Sequence, residues 1–278
     1  MSGNKTKKKK KKGNKVIKRI IFLLVVMVIL FIVLSFLSPT EGEMEGTYNP
    51  TYIENLEIPR GGKGEIIEHT GYTLSYSEEY EVPEWVAYEL TREEVVTQSV
   101  ERKDNFREDK AVTTGSATLN DYKKSGYDRG HMAPAADMKW SAQVMTESFY
   151  LSNICPQDRG LNGGTWLKLE EAVRDWARAQ SPIYVVCGPI MGETFDTIGD
   201  NAVAIPNGFF KVVCKRVNGL YFTIGFIFPN KDVKGSIFDY SCTVDEVEKV
   251  TGFDFFSALP DSIEKNVESV CNPKDWRR

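Results

Sequence analysis

The sequence predicts an α+β fold, and two kinds of pattern support that prediction. Short apolar runs recur along the chain between turn residues, which is typical of sheet strands. Residues 165–180 instead repeat their apolar side chains at helical spacing, which indicates a helix. About 210 residues follow position 66, which is enough for one domain with a sizeable core.

Five strands and three helices are predicted between turns rich in glycine, proline and asparagine. The strands are residues 72–77, 85–90, 183–187, 208–213 and 221–228. The helices are residues 137–149, 165–180 and 243–250, and Thr243 with Glu246 forms a capping pattern at the start of the last one. Residues 97–126 are polar and contain glycine, so they predict a long loop, and long loops in compact domains are usually functional.

The N-terminal residues form a separate region with two contrasting parts. Residues 1–19 contain ten basic side chains, including an unbroken run from Lys7 to Lys12, and no acidic residue precedes Glu41. Residues 20–37 are apolar apart from one serine. Eighteen helical residues cover about 27 Å, close to the thickness of a bilayer core. The two parts together predict a transmembrane helix behind a basic tail.

We expect residues 20–37 to be an uncleaved signal anchor, because a cleaved signal peptide has a shorter apolar region and a small-residue cleavage site. Residues 1–19 are then the cytoplasmic tail by the positive-inside rule. Residues 38–66 are predicted as a linker, and residues 67–278 as the domain, facing the cell exterior. Cleavage and secretion of the domain is the alternative. A mitochondrial transit peptide is disfavoured, because such peptides are amphipathic and rich in arginine and serine.

The charge of the chain changes once the basic tail is set aside. Residues 41–278 keep 25 of the 35 basic residues and all 39 acidic ones, a net charge of −14. An acidic body repels a polyanion at long range, so a nucleic-acid substrate requires a local basic patch and a cation. The basic residues around the motifs described next are Lys123, Lys124, Arg129, Lys139, Arg159 and Lys168.

Five cysteines are present, and their spacing contains no CxxC pair or other zinc-like pattern. A structural zinc site is therefore not expected. Cys155 lies between two polar candidate residues but is predicted to be a packing residue, because a nucleophilic thiol needs a base of its own.

One ordered set of polar residues carries the chemical information. Residues 128–131 read Asp-Arg-Gly-His, and they are followed by Asn153, the Asn-Gly-Gly-Thr-Trp run of residues 162–166, and Glu170. These groups suit metal-assisted attack on a phosphodiester. Only two histidines occur in the chain, so His131 is the candidate base at neutral pH. His69 has no such motif around it and is predicted to be structural.

The set resembles the DRGH signature of the DNA/RNA non-specific endonucleases, over roughly residues 67–260. The resemblance implies a ββα-metal fold, with a central antiparallel sheet flanked by helices. It also implies hydrolysis of DNA and RNA with a divalent cation, Mg²⁺ first and Mn²⁺ as the alternative. The whole ordered set carries the resemblance, since four residues alone recur by chance.

Roles for the metal and the base follow from the chemistry and the resemblance together. His131 suits the general base, because an imidazole of near-neutral pKa can activate water. The resemblance implies Asn162 as the direct metal ligand. Glu170 is eight residues further along the predicted helix, about 12 Å by rise alone, so it is assigned to metal-bound water instead. Gln157 is a supporting residue, and Asp128 is expected to brace the motif.

Roles for phosphate binding are also implied. Arg129 is placed to hold a phosphate, where a guanidinium fork is favoured. Asn153 is expected to hydrogen-bond near the histidine or the phosphate. The family has a second arginine upstream, for which Arg102 is the nearest match and Arg107 the alternative.

Three functions therefore remain open from the sequence. The first is a membrane-anchored, outward-facing endonuclease that cleaves DNA and RNA. The second is a nucleic-acid-binding module that keeps the fold without catalysis. The third is a phosphodiesterase for another surface phosphodiester, which membrane attachment leaves open.

Overall fold

The computed structural model describes residues 52–277. In chain order the strands are β1 (Glu65–Glu68), β2 (Thr73–Ser77), β3 (Val82–Leu90), β4 (Asp128–His131), β5 (Ile154–Gln157), β6 (Ile183–Ile190), β7 (Thr197–Ile198), β8 (Val203–Ala204), β9 (Gly208–Val217), β10 (Leu220–Pro229) and β11 (Ser241–Cys242). The helices are α1 (Arg92–Val96), α2 (Leu119–Tyr122), α3 (Ala142–Glu147), α4 (Arg159–Leu161), α5 (Leu167–Ala179), α6 (Val244–Thr251) and α7 (Asp261–Glu268). A π-helical turn, Asn162–Trp166, joins α4 to α5.

Seven strands form the central sheet in the order β1-β2-β3-β6-β9-β10-β11. Every pair in it is antiparallel. The structure therefore confirms the predicted mixed fold around a central antiparallel sheet. All five predicted strands belong to this sheet, and most of them extend beyond the predicted ends.

The sheet separates two hydrophobic cores because neighbouring strand residues point to opposite faces. On β9, Phe209 and Val213 pack on the first face, together with Trp166 and the apolar side of α5. Phe210 and Val212 pack on the second face, together with helices α6 and α7. The two faces are thus covered by different helices, as a sheet flanked by helices requires.

Strands β4 and β5 pair with each other in a separate antiparallel ribbon. The ribbon packs on the first face through residues such as Ile154 and Cys155. The sequence did not predict either strand, because each has only four residues and β4 is mostly polar. The chain then passes through α4 and the π-helical turn into α5, which gives the order strand, strand, helix.

Two predicted helices have different outcomes. The capping pattern is correct, since the Thr243 side chain accepts from the Glu246 N–H and helix α6 follows. The helix predicted over residues 137–149 is restricted to α3, Ala142–Glu147. Its first residues instead form a turn, in which the Asp137 N–H donates to the Pro134 carbonyl.

The sequence placed the domain boundary at residue 67, whereas packing against the body begins earlier. Leu56 is completely buried on the second face of the sheet. Arg60 exchanges backbone hydrogen bonds with Asp254, at 2.8 and 3.0 Å. Strand β1 also starts within the predicted linker, at Glu65. The second half of the predicted linker is therefore part of the body.

Within residues 52–277, no helix is both long enough and apolar enough to cross a bilayer. The predicted transmembrane segment, residues 20–37, lies outside the described residues.

Replacing Leu56 by alanine is expected to lower the free energy of unfolding by about 2–5 kcal/mol, the usual cost of such a change in a core. Urea unfolding of the full-length protein measures this cost. The control is Ile66→Ala, because Ile66 is 55% exposed and its truncation leaves no cavity. Equal midpoints for the two variants would mean that Leu56 contributes nothing to the core.

Candidate active site

The β4–β5 ribbon sets the positions of the motif residues. Asp128 lies opposite Gln157, and His131 lies opposite Ile154. Gly130 faces Gln157 so closely that a Cβ atom on it would lie 2.2 Å from the Gln157 Oε1. The glycine of the DRGH motif is thus required by packing. It allows the residues on both sides of it to keep the strand register.

His131 is buried between two aromatic rings. Its ring centroid lies 5.3 Å from that of Phe106 and 5.0 Å from that of Phe149. The Nε2 atom is buried and has no hydrogen-bond partner among residues 52–277. Burial lowers the pKa of His131 to about 3, and the positive charges of Arg102 and Arg129 act in the same direction. The imidazole is therefore neutral at physiological pH.

The two arginines lie on the rings that enclose the histidine. The Arg129 guanidinium carbon is 4.2 Å from the centroid of Phe106, and that of Arg102 is 5.3 Å from the centroid of Phe149. Arg107, the alternative to Arg102, lies instead 4.2 Å from the ring of Tyr150. Arg102 also pairs with Asp104, at 2.7 Å. The structure therefore places Arg102 rather than Arg107 beside the histidine.

A groove of about 630 Å³ runs past these arginines. Its basic lining residues are Arg102, Lys123, Arg129 and Arg159. Two carboxylates, Asp104 and Asp128, also line it. Three of the six basic residues noted around the motifs thus border one groove, while Lys124, Lys139 and Lys168 are not among its lining residues.

Asn162 borders the same groove, and its orientation is set by Asp128. The Asn162 Nδ2 donates to the Asp128 Oδ2, at 3.1 Å, and the Arg159 Nε donates to the Oδ1, at 3.2 Å. The Asn162 Oδ1 makes no hydrogen bond within residues 52–277. An amide oxygen held in this way is a suitable ligand for a hard divalent cation, so the residues present fit such an ion.

The turn that presents Asn162 has its own local cause. The Asp158 side chain accepts from the N–H groups of Gly160 and Leu161, which starts the short helix before it. Gly164 then has φ −115° and ψ −111°, outside the helical region. The irregular turn therefore directs Asn162 toward Asp128, while Trp166 beyond it is buried in the core.

Glu170 lies in the first turn of α5 and is buried. Burial raises the pKa of its carboxyl to about 7, while Lys211 and Arg174 lower it and Asp137 raises it further. Asp137 accepts from the Arg174 Nη1, at 2.8 Å, and from the Tyr88 hydroxyl, at 3.0 Å. A layer of charged groups therefore lies between α5 and the first face of the sheet.

Sequence reasoning missed the lysine in this layer. Lys211 is completely buried on β9, and its Nζ lies 4.7 Å from the Trp166 ring without a hydrogen-bond partner in the described chain. A signal was present, because Lys211 is a single charge within the apolar run of residues 208–213. A buried charge inside a central strand requires a nearby charge of opposite sign, which for Lys211 is Glu170.

Asn153 and Gln157 have surroundings that differ from those of the groove residues. The Asn153 side chain accepts from the Ala133 N–H and donates to the carbonyls of Ala133 and Ser148, all at 2.9 Å. Its amide is therefore engaged with the backbone that follows His131. Gln157 is buried against Gly130, and neither its Oε1 nor its Nε2 has a hydrogen-bond partner within residues 52–277.

His69 belongs to a different part of the molecule. Its Nε2 lies 2.9 Å from the Asp109 Oδ2, which also accepts from the Ser152 hydroxyl, at 2.5 Å. The ring stacks on Tyr150, with centroids 5.1 Å apart. These contacts fit the structural role that the sequence predicted.

A model of the DNA/RNA non-specific endonucleases matches residues 49–262, most of the chain. The chain belongs to this family. Among relatives, it is 33% identical to the mitochondrial nuclease EXOG of Danio rerio over 244 residues, which cover 81% of this chain and 71% of that protein. It is 32% identical to the mitochondrial endonuclease G of Homo sapiens over 208 residues, which cover 70% of each chain.

A solved structure of an EndoG/EndoGI complex, described as showing the mechanism of EndoG inhibition, has the same fold as this endonuclease-family chain. The TM-score is 0.70 at 31% identity, and the match covers 76% of this chain and 92% of that chain. The chain spans about two thirds of the length of some relatives, for example 64% of the mitochondrial nuclease EXOG of Mus musculus, to which it is 29% identical over 79% of its own length.

Replacing Lys211 by methionine is expected to raise the pKa of Glu170, because Lys211 is a positive charge that lowers it. If cleavage requires ionised Glu170, activity is lost as the pH falls through that pKa, so the midpoint of the acid limb should move to higher pH. A pH–rate profile from pH 5 to 9 measures the shift.

The same variant controls for damage to the fold. Methionine keeps the apolar length of the side chain, and at pH 5 the Glu170 carboxyl is protonated, so no buried charge is left unpaired and urea unfolding at that pH should show no loss of stability. An unshifted acid limb in a stable Lys211→Met protein would exclude electrostatic control of Glu170 by Lys211.

Proposed function

We propose that this chain is a divalent-cation-dependent endonuclease that hydrolyses the phosphodiester bonds of both DNA and RNA. One observation carries the proposal. A neutral, buried imidazole with an unpartnered nitrogen lies beside two guanidinium groups, and those guanidinium groups line a groove that also presents a free amide oxygen. Membership of the non-specific endonuclease family supports the same reaction class.

His131 acts as the general base in this proposal. Its neutral form accepts a proton from the attacking water, and the enclosing rings of Phe106 and Phe149 restrict its orientation. The low pKa of His131 in the absence of substrate has a functional consequence. A bound phosphate places negative charge beside Arg102 and Arg129, offsets their effect on His131, and moves its pKa toward neutrality, where a base is most effective.

Arg102 and Arg129 hold the scissile phosphate. Each guanidinium lies over a ring, which limits its motion. The Arg102 Nε donates to Asp104, and the other N–H groups of the two arginines can donate to phosphate oxygens. Lys123 and Arg159 extend the positive charge along the groove. Contacts of this kind read the phosphate backbone and carry no base sequence directly, which suits a substrate range that includes both DNA and RNA.

In this proposal Asn162 Oδ1 would hold the cation and Glu170 would act through its water, as in the ββα-metal fold. Mg²⁺ is the proposed ion and Mn²⁺ the alternative, because Mg²⁺ keeps several waters and needs few direct protein ligands. When bound, such an ion neutralises the charge that develops on the phosphoryl and leaving oxygens. Asp128 maintains the orientation of the Asn162 amide, and Asn153 fixes the backbone after His131.

Membrane attachment through residues 20–37, with the endonuclease body outside the cell, completes the proposal. Its support is the sequence alone, namely the apolar run and the lysines before it. Several relatives are named as mitochondrial nucleases, so the mitochondrion is the competing destination. Secretion after cleavage is a third.

Replacing His131 by alanine is expected to reduce cleavage of both closed circular plasmid and RNA by about 10²–10⁴-fold, the usual contribution of a general base. Wild-type protein should cut both polymers with Mg²⁺ and neither with EDTA. His69→Gln is the matched control, because it alters the only other histidine and should leave the cleavage rate of folded protein unchanged.

The same assay separates the alternative functions. Full activity in His131→Ala would overturn the mechanism. Nucleic-acid binding without any cutting would identify a binding module. Turnover of other phosphodiesters, with no cutting of DNA or RNA, would identify a different phosphodiesterase.

Attachment predicts that the full-length protein sediments with membranes and resists extraction at high salt, whereas a chain lacking residues 1–40 is released. Protease added to intact cells should degrade the body of the anchored protein. Recovery of the full-length protein in purified mitochondria, protected from protease, would overturn the proposed location without affecting the proposed reaction.

A further inference from the structure

Helices α6 and α7 bring three carboxylates together on the second face of the sheet, away from the groove. Asp245 and Glu248 belong to α6, and Glu268 is the last residue of α7. One oxygen from each carboxylate can be chosen so that all three atoms lie within 4.8 Å of one another. Glu268, which is 20 and 23 positions from Glu248 and Asp245 in sequence, thus converges with them on one point.

Glu268 provides a second and independent observation. Its side chain is only 4% exposed, and its Oε1 is buried without a hydrogen-bond partner in residues 52–277. An acidic oxygen left in this state is unfavourable, because burial of an unpaired polar group costs free energy that a partner would recover. The buried oxygen belongs to the same carboxylate that approaches Asp245 and Glu248.

Within residues 52–277, no lysine or arginine is recorded in an ion pair with Asp245, Glu248 or Glu268. The acidic residues Glu248 and Glu264 are among the groups that lie near Glu268. The surroundings are thus of one sign, and a cation is the missing partner.

We infer that Asp245, Glu248 and Glu268 form a binding site for a divalent cation, separate from the proposed catalytic ion, and that the ion is Ca²⁺. Ca²⁺ binds oxygen ligands at about 2.3–2.6 Å in flexible geometry, so two opposite ligands lie up to about 5 Å apart. Mg²⁺ requires about 2.0–2.1 Å and near-octahedral geometry and retains its waters, so three carboxylates from two helices suit the more flexible Ca²⁺ better. Asp245 is exposed, so water can complete the coordination.

The bound ion would join α6 to α7 and hold both against the sheet. Glu248 already accepts from the Phe255 N–H in the segment between the helices, at 2.8 Å, and the Thr223 hydroxyl of β10 donates to the Val267 carbonyl of α7, at 2.6 Å. The site lies across the sheet from His131, since α6 and α7 pack on the second face. Its expected effect is on stability rather than on the chemical step.

Thermal unfolding of the full-length protein tests the inference. Samples are stripped with EDTA and then supplied with Ca²⁺ or Mg²⁺. Ca²⁺ at about one hundred times its Kd should raise the Tm of the wild-type protein by roughly 5–10 °C. The same rise is expected in Asn162→Ala, in which the proposed catalytic ligand is absent.

Two variants remove the site itself. Glu268→Gln and Asp245→Asn should lose most of the Ca²⁺-induced rise. In EDTA, Glu268→Gln should be at least as stable as wild type, because it removes like-charge repulsion, and this confirms that it folds. Asp245 is exposed, so Asp245→Asn should also fold. Exposed Glu193→Gln is the matched control and should keep the full rise.

Three results would overturn the inference. The first is an equal Ca²⁺-induced rise in Glu268→Gln and wild type. The second is loss of the rise in Asn162→Ala, which would assign it to the groove. The third is no rise with Ca²⁺ in any protein, which would mean that Glu268 is satisfied by a proton.

Discussion

The antiparallel pairing of β4 with β5 is the constraint on which the rest of the site depends. It fixes which residues lie opposite one another, and it positions the short helix and turn that carry Asn162. The pairing requires Gly130, because Gln157 occupies the space of any side chain there. A change in register by one residue would turn His131 away from Phe106 and Phe149 and turn Arg129 away from the groove.

Burial affects the two titratable groups of the site, His131 and Glu170, in the same way. It disfavours the charged form of both His131 and Glu170, so the pKa of the base falls and the pKa of the acid rises. The nearby charges act unequally on the two groups. Arginines add to the effect of burial at His131, while Lys211 opposes it at Glu170. A polyanion bound near His131 would raise the pKa of the imidazole toward neutrality. A cation bound near Glu170 would favour the ionised carboxylate.

The sequence predicted well the features that depend on local pattern. The five sheet strands and the cap at Thr243 follow from alternation and from a side-chain-to-backbone hydrogen bond, both of which are local. The β4 and β5 strands were missed, because they are short and are stabilised by pairing with each other. Lys211 was missed for a related reason, since its partner Glu170 is 41 positions away in sequence and approaches only through the packing of α5 on the sheet.

The net negative charge of the body is compatible with a basic groove, because the acidic residues and the groove arginines lie in different places. Charge repulsion between separated surface groups weakens over about 8–10 Å at physiological ionic strength, whereas the arginines of the groove contact a phosphate directly. Several acidic residues, including Asp245, Glu248 and Glu268, lie on the second face, where the sheet separates them from the groove. The net charge therefore influences how fast a polyanion approaches, while Arg102, Lys123, Arg129 and Arg159 determine where it binds.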